Sequence, residues 1–378
     1  MSARSRRLAL ALAMVSGVLI LFYYVTFVFN NIENISNAFG AAQAGFWMTL
    51  VGGVGLVAQW FLPRQYTEAS LPLSDLIPIW RKMTPMMRNE AVTFYVWISP
   101  WLIGFLIWQA WPVIESFYLA FTDFRLLNTP EFTGLANLEK LVNDDAFWKS
   151  LKVTVLYVIG AVPIGNIIAL FVAMVLSQKL RGVNWWRTIY YLPSVVSQVA
   201  IAVMWSFVFN PDFGLLNAVL DSVGVKGPGW IASEDWALPS VIIIAWWMTI
   251  GPAMIIYLAG LKGIPGVYYE AAEIDGATVW HQFRHITLPL LSPTIFFNVI
   301  VNIIGAFQAF DVPFVLTEGG PNRATTTYIY NLYEEGFIFT NMGYASLLAW
   351  VLFVVIVIFT LVTIRISSSR VYYEAAVE

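Results

Sequence analysis

The chain has 378 residues, 59% of them hydrophobic and 11% charged, with a mean hydropathy of +0.72. Soluble domains carry about 25% charged residues, so a water-soluble globule is excluded. A formal net charge of −3 and the lack of a basic stripe argue against nucleic-acid binding. With no cysteine there are no disulfides or thiol nucleophiles, and two histidines leave little for metal chemistry.

Arg4, Arg6 and Arg7 precede an apolar run from Leu8 to Phe29, close to the roughly 20 residues a helix needs to cross a bilayer. The run is longer than the core of a secretory signal and no clear small-x-small cleavage site follows, so it reads as an uncleaved first span, a cleaved signal being the alternative. A second run, Gly45 to Leu62, returns to the starting side. Its Gly52, Gly53 and Gly55 suit close helix packing, because no strand precedes them and no Lys-Ser/Thr follows. The stretch after it, with Arg64, Arg81, Lys82, Arg88 and prolines at 72, 78 and 85, reads as a polar linker.

Six further runs follow: Phe94 to Phe121, Leu151 to Ser177, Thr188 to Phe209, Leu238 to Leu261, Leu290 to Leu316 and Tyr344 to Ile364. The expectation is an all-α integral membrane protein with eight transmembrane helices. A pair of accessory spans occupies 1–63, a linker 64–92, a six-span core 93–370 with a polar loop at 263–289, and a tail 371–378. Fourteen of the 20 lysines and arginines fall in the segments that share a side with both termini, and loops rich in these residues stay in the cytoplasm. Both termini and the 263–289 loop are therefore expected to be cytoplasmic.

Glu270 to Pro289 reads as helix, tight turn at Gly276, short second helix, and a stop at Leu288-Pro289. Glu270 and Glu273 suit the positive end of a helix dipole, and Pro265 fits a first helical turn. Ala271, Ala272, Gly276 and Ala277 leave a surface so short in side chain that a partner's backbone could approach it. A plain cytosolic hairpin between two spans is the competing account. His281 and His285 stand one helical turn apart, as in zinc proteases, but Gln282 replaces the glutamate such a site requires; solvated or partner-facing histidines fit better, with no catalytic residue and no metal site. No phosphate-binding G-x-x-x-x-G-K-[ST] occurs anywhere in the chain, so an ATPase would have to be a separate protein.

Polar side chains within spans are expensive in lipid, so each is either helix-packing glue or part of a polar path. The late runs contain Asn298, Asn302, Gln308 and Asp311. Earlier ones add Asn166, Gln198, Trp205, Trp246, Trp247 and Tyr257. Amides beside aromatic rings are what a hydroxyl-rich solute needs. No lysine or arginine lies deep in the last five spans, which favours a neutral solute over an anion. Pro112, Pro163, Pro193 and Pro252 interrupt helices and mark either moving joints or static kinks.

Glu270, Ala271, Ala272, Asp275, Gly276, Ala277, Ile286, Leu288 and Pro289 together resemble the E-A-A loop of permease subunits in bacterial binding-protein-dependent ABC importers. The stretches Phe132 to Thr154, Leu316 to Phe337 and Met342 to Ala345 are similar to the maltose- and glycerol-phosphate-type branch of sugar permeases. The likeness covers Phe94 to about Arg370. It implies a permease for a sugar, oligosaccharide or polyol in the bacterial inner membrane, or alternatively for glycerol 3-phosphate or a related anion. It also implies docking of Glu270, Ala271, Ala272, Asp275, Gly276, Ile286, Leu288 and Pro289 on a cytosolic ATPase. The partners implied are a second homologous permease chain, two copies of that ATPase, an external solute-binding protein and the lipid bilayer. No cofactor would be bound by this chain, ATP and magnesium residing on the ATPase. Gln198, Trp205, Trp246, Asn298, Asn302, Gln308 and Asp311 are the candidates for the solute path. An ion-coupled transporter competes poorly, since the nearest candidates for a mid-span carboxylate, Asp311 and Glu115, both lie toward span ends, and an intramembrane enzyme lacks any catalytic set.

Overall fold

A computed structural model describes residues 84–125, 128–178 and 181–367. The runs at Leu8 to Phe29 and Gly45 to Leu62, most of the linker and the C-terminal tail lie outside the described residues. The chain divides into two units, Met1–Glu115 and Ser116–Glu378.

In the first unit the helix α1, Pro85–Leu119, begins, with a wide π turn at Leu106–Ala110. Thr84 caps it by accepting the Met87 N–H at 3.4 Å, and Pro85 occupies the first turn, where a missing N–H leaves no bond unmade.

Among its described residues the second unit is helical apart from turns, loops and one isolated bridge between Thr122 and Phe132. Its long helices are α3 (Asp145–Ser177), α7 (Glu234–Gly263), α9 (Val279–Phe307) and α12 (Met342–Ser367), after the short α2 (Ala136–Val142). Each long helix is apolar and long enough to cross a bilayer. Between α3 and α7 the chain forms α4 (Val183–Tyr191), α5 (Gln198–Val208) and α6 (Leu215–Ser222). The run Thr188 to Phe209, expected as one span, is bent by 96° between Ser194 and Gln198. Pro193 begins the break, since its ring bars the preceding turn from continuing as α-helix.

The run Leu290 to Leu316 also differs from a single rod. The helix ends at Phe307, Gln308 and Ala309 turn, and α10 (Asp311–Thr317) starts afresh. Among the described residues there are thus five long apolar helices plus one bent pair.

α3 and α7 form the most extensive helix pair, and α9 packs on both. The contact is close because small residues line it: a Cβ at Gly160 of α3 would meet Ile242 of α7, and one at Gly260 of α7 would meet Leu291 and Thr294 of α9. Buried apolar side chains form two clusters. One gathers Phe147, Tyr157, Val241, Ile244, Phe307 and Leu348, and the other Ala173, Leu176, Met254, Leu258 and Leu291. They occupy opposite halves of the bundle, with Asn166 of α3 falling between them.

The connection at 318–341 folds back onto the bundle. Thr325, Thr326, Thr327 and Asn331 are buried; Thr327 Oγ1 donates to the Ala309 carbonyl at 2.8 Å, and the Tyr328 N–H donates to Thr154 Oγ1 at 2.7 Å. Within α11 (Tyr328–Tyr333) burial pushes the Tyr330 phenol up, and nearby Glu334 adds to the shift. Lys140 pairs with Glu335 at 3.0 Å and lies over the Tyr344 ring, tying α2 to this connection.

Candidate functional site

Two places concentrate polar or exposed chemistry. At one end of the bundle, between α7 and α9, the helix α8 (Val267–Ile274) is followed by Asp275, Gly276 and the start of α9. Gly276 has φ +76°, the left-handed region in which a side chain clashes with the following carbonyl. Its N–H donates to the Glu273 carbonyl at 3.0 Å, and the Ala277 N–H donates to the Ala272 carbonyl at 2.9 Å. Those paired bonds satisfy carbonyls that a helix end otherwise leaves open. Thr278 then caps α9, its hydroxyl accepting the His281 N–H at 3.4 Å.

The two arms are tied together. Tyr269 and Thr287 share a hydroxyl–hydroxyl bond of 2.9 Å, and Gln282 Nε2 donates to the Ala277 carbonyl at 3.5 Å. His281 and His285 stack at 5.6 Å and bond within their own helix, to Thr278 and to the His281 carbonyl. Among the described residues no group of three or more His, Cys, Asp or Glu could hold a metal ion.

Leu288-Pro289, expected to stop the second helix, does not. The backbone makes a π turn at Phe283–Thr287, closed by the Leu288 N–H on the Phe283 carbonyl, and continues as helix to Phe307. Pro289 is tolerated because the wide turn already disturbs the bonding ladder where the proline has no N–H to offer. Glu270, Ala271, Asp275, Gly276 and Leu288 are exposed, while Ala272, Ile286 and Pro289 are half-buried. The structure adds three side chains to this face that the motif did not include. Ile274 is 87% exposed, Val279 81% and Trp280 65%. Their signal in the sequence is apolar bulk inside an otherwise polar stretch, which usually marks a binding face.

The second place is a cavity of about 340 Å³ between α3, α5, α7, α9 and α10. It brings together Gln198, Asn302, Gln308 and Asp311, distant in sequence. The bend before α5 sets Gln198 at its first turn, and the break after Phe307 turns Gln308 and Asp311 to the same space. Phe310, Tyr157, Met248 and Thr249 complete the wall, and Asp311 is the one charged residue lining it.

Asn298, Trp205 and Trp246 are not among the lining residues. Trp246 Nε1 donates to the Gly160 carbonyl at 2.9 Å, a bond that staples α7 to α3. Trp205 stacks on Phe209 at 5.0 Å, with its indole nitrogen buried and unpaired. Asn298 is buried beside Tyr257. Sequence reasoning missed Thr249, Met248, Tyr157 and Phe310; of these only Thr249, a polar residue amid an apolar run, carried a signal.

Residues 165–373 match the family described as the binding-protein-dependent transport system inner membrane component. The chain is 39% identical over 302 residues to the probable ABC transporter permease protein YesP of Bacillus subtilis, covering 79% of this chain and 97% of that one. It is 33% identical over 286 residues to the trehalose/maltose transport system permease protein MalF of Thermococcus litoralis, covering 75% and 96%. The fold is similar to that in a crystal structure of a bacterial ABC transporter involved in the import of the acidic polysaccharide alginate, with a TM-score of 0.67 and 23% identity over 78% of this chain and 99% of that chain.

Proposed function

The chain belongs to the family of binding-protein-dependent transport system inner membrane components, and on that premise we propose that it forms half of the path by which an ATP-driven importer carries a carbohydrate inward. It is a transport subunit and not an enzyme, the ATPase of such a system being a separate subunit. The solute class is a sugar, oligosaccharide or polyol, as with the trehalose/maltose system of Thermococcus litoralis. The cavity supports a neutral solute over an anion, since among the described residues amides, hydroxyls and one carboxylate line it and no cation does.

The observation that carries the coupling role is the exposed helix–turn–helix at Val267 to Gln282. Ile274 and Val279 hold their aliphatic side chains in solvent at its tip, which a protein tolerates where a partner covers them. The occupant is the cytosolic ATPase, present in two copies, one for this chain and one for a second, homologous permease. Glu270, Ala271, Ala272, Asp275, Gly276 and the Ile286, Leu288, Pro289 segment form the rest of the docking face. Both termini lie in the cytoplasm with this loop, and the opposite end of the bundle receives the external solute-binding protein. Residues 1–63, with their two apolar runs, serve as an accessory to the core.

Charging the tip tests the docking. Burial of an aliphatic side chain contributes roughly 1.5–3 kcal/mol, so Ile274→Asp with Val279→Asp is expected to weaken ATPase association at least tenfold. Membrane insertion should be unchanged. Full co-purification and uptake in that double variant would sink the proposal.

A further inference from the structure

The hydrogen bonds between α3, α7 and α9 decide which atom of Asn302 meets the cavity. Asn166 sets the order. Its Nδ2 donates to the Val162 carbonyl at 2.8 Å, and a carbonyl can only accept, so the Asn166 amide has one possible orientation. Its Oδ1 is then the acceptor. That oxygen receives the Tyr257 hydroxyl at 2.9 Å and Asn302 Nδ2 at 3.2 Å, which fills both lone pairs.

Asn302 is thereby held with its nitrogen toward α3. Its Oδ1 has no hydrogen-bond partner among the described residues, and Asn302 lines the cavity. The holding layer is dry: Asn166 is 5% exposed and Tyr257 1%. Asn298, one turn before Asn302 and 2% exposed, stands beside the Tyr257 hydroxyl with its own Nδ2 buried and unpaired. Polar groups so placed lack water to exchange with, so the orientation they impose is firm.

We infer that Asn166 and Tyr257 are positioning residues that fix Asn302 with its carbonyl oxygen turned to the solute, making the cavity an acceptor site that selects hydroxyl donors. The inference rests on the proposed solute path through this cavity. A sugar or polyol hydroxyl donates to that oxygen and can accept from the amide of Gln198 or Gln308, which line the same cavity. Carboxylates and phosphate dianions only accept, so they meet Asn302 Oδ1 and the Asp311 carboxylate as like poles. Without Asn166 the amide of Asn302 is free to turn its nitrogen outward, and the discrimination fades.

The lack of native cysteine allows a direct assay on the complete transporter, with Gly305→Cys as the one thiol of this chain, at a cavity-lining position where a Cβ meets nothing within 4 Å. Maleimide labelling of that thiol is followed against rising maltose, lactose, glycerol or glycerol 3-phosphate. The neutral solutes are expected to protect at lower concentration than glycerol 3-phosphate. Adding Asn166→Ala should raise the half-protecting concentration of the neutral solutes roughly tenfold and narrow the gap to glycerol 3-phosphate. Tyr257→Phe, which keeps the shape of the ring, should move both in the same direction by a smaller factor. Protection and selectivity unchanged in both variants would overturn the positioning role while leaving the path intact. No protection by any neutral solute, even with Asn166 and Tyr257 present, would remove the path itself.

Discussion

Gly276 illustrates how one residue type can satisfy two demands that a sequence does not separate. Its place in the E-A-A pattern pointed to clearance for a partner. The structure gives a reason internal to the chain: φ is +76°, and a Cβ there would meet nothing within 4 Å. Handedness of the backbone, rather than room inside this chain, calls for glycine. Asparagine tolerates that region, whereas a β-branched residue is penalised by about 1–2 kcal/mol. Gly276→Asn is therefore expected to retain ATPase association and uptake within a few-fold of the parent, and Gly276→Val to lose most of both. Co-purification and uptake measured side by side decide it; equal loss in the two variants would show that the partner imposes the requirement. At Asn302 the sequence supplied the residue but not its orientation, because that is set by Val162 and Asn166 on another helix.

Among the elements, α9 carries the sharpest lesson. Its apolar run and the preceding loop were both legible, but not that they form one rod. The proline at 289 reads locally as a stop, and only the π turn at Phe283–Thr287 explains why it is not one. A wide turn holds one residue more than an α turn, and each α-helical residue rotates the chain by about 100°. Deleting the exposed Arg284 should let the helix close as α and swing the Val279 tip about that angle relative to the membrane portion. The expected result is a loop that still folds, with ATP hydrolysis no longer matched to uptake. Uptake per ATP unchanged in the deletion variant would count against α9 as a rigid transmitter. The breaks at Ser194–Gln198 and after Phe307 escaped detection for a similar reason. Hydrophobic runs report how much apolar chain is present, not its direction, and the cues were Pro193 and the polar Gln308 and Asp311.

For the whole molecule, composition made the membrane class plain, and six runs found counterparts among the described helices. The cavity was not legible, since it exists only where α3, α5, α7, α9 and α10 converge. Much apolar surface remains uncovered: only 11% of an apolar 18-residue stretch of α12 is buried within the chain, and 17% of one in α9. Lipid covers part of it, and the second permease chain is the proposed cover for the rest. Co-expression with that partner should therefore raise the melting temperature of this chain in detergent, since binding to the folded form stabilises it by mass action. Identical melting with and without the partner would contradict a shared interface of this size. The two apolar clusters and the amide layer between them bear on motion as well. Dispersion contacts within either cluster tolerate small slips of one helix past another, whereas the bonds from Tyr257 and Asn302 to Asn166 form only at one register of α3, α7 and α9. The amide layer therefore works as a registration key, fixing the height of α3, α7 and α9 against one another, and a slide of one helix by a full turn would break the bonds that cross it.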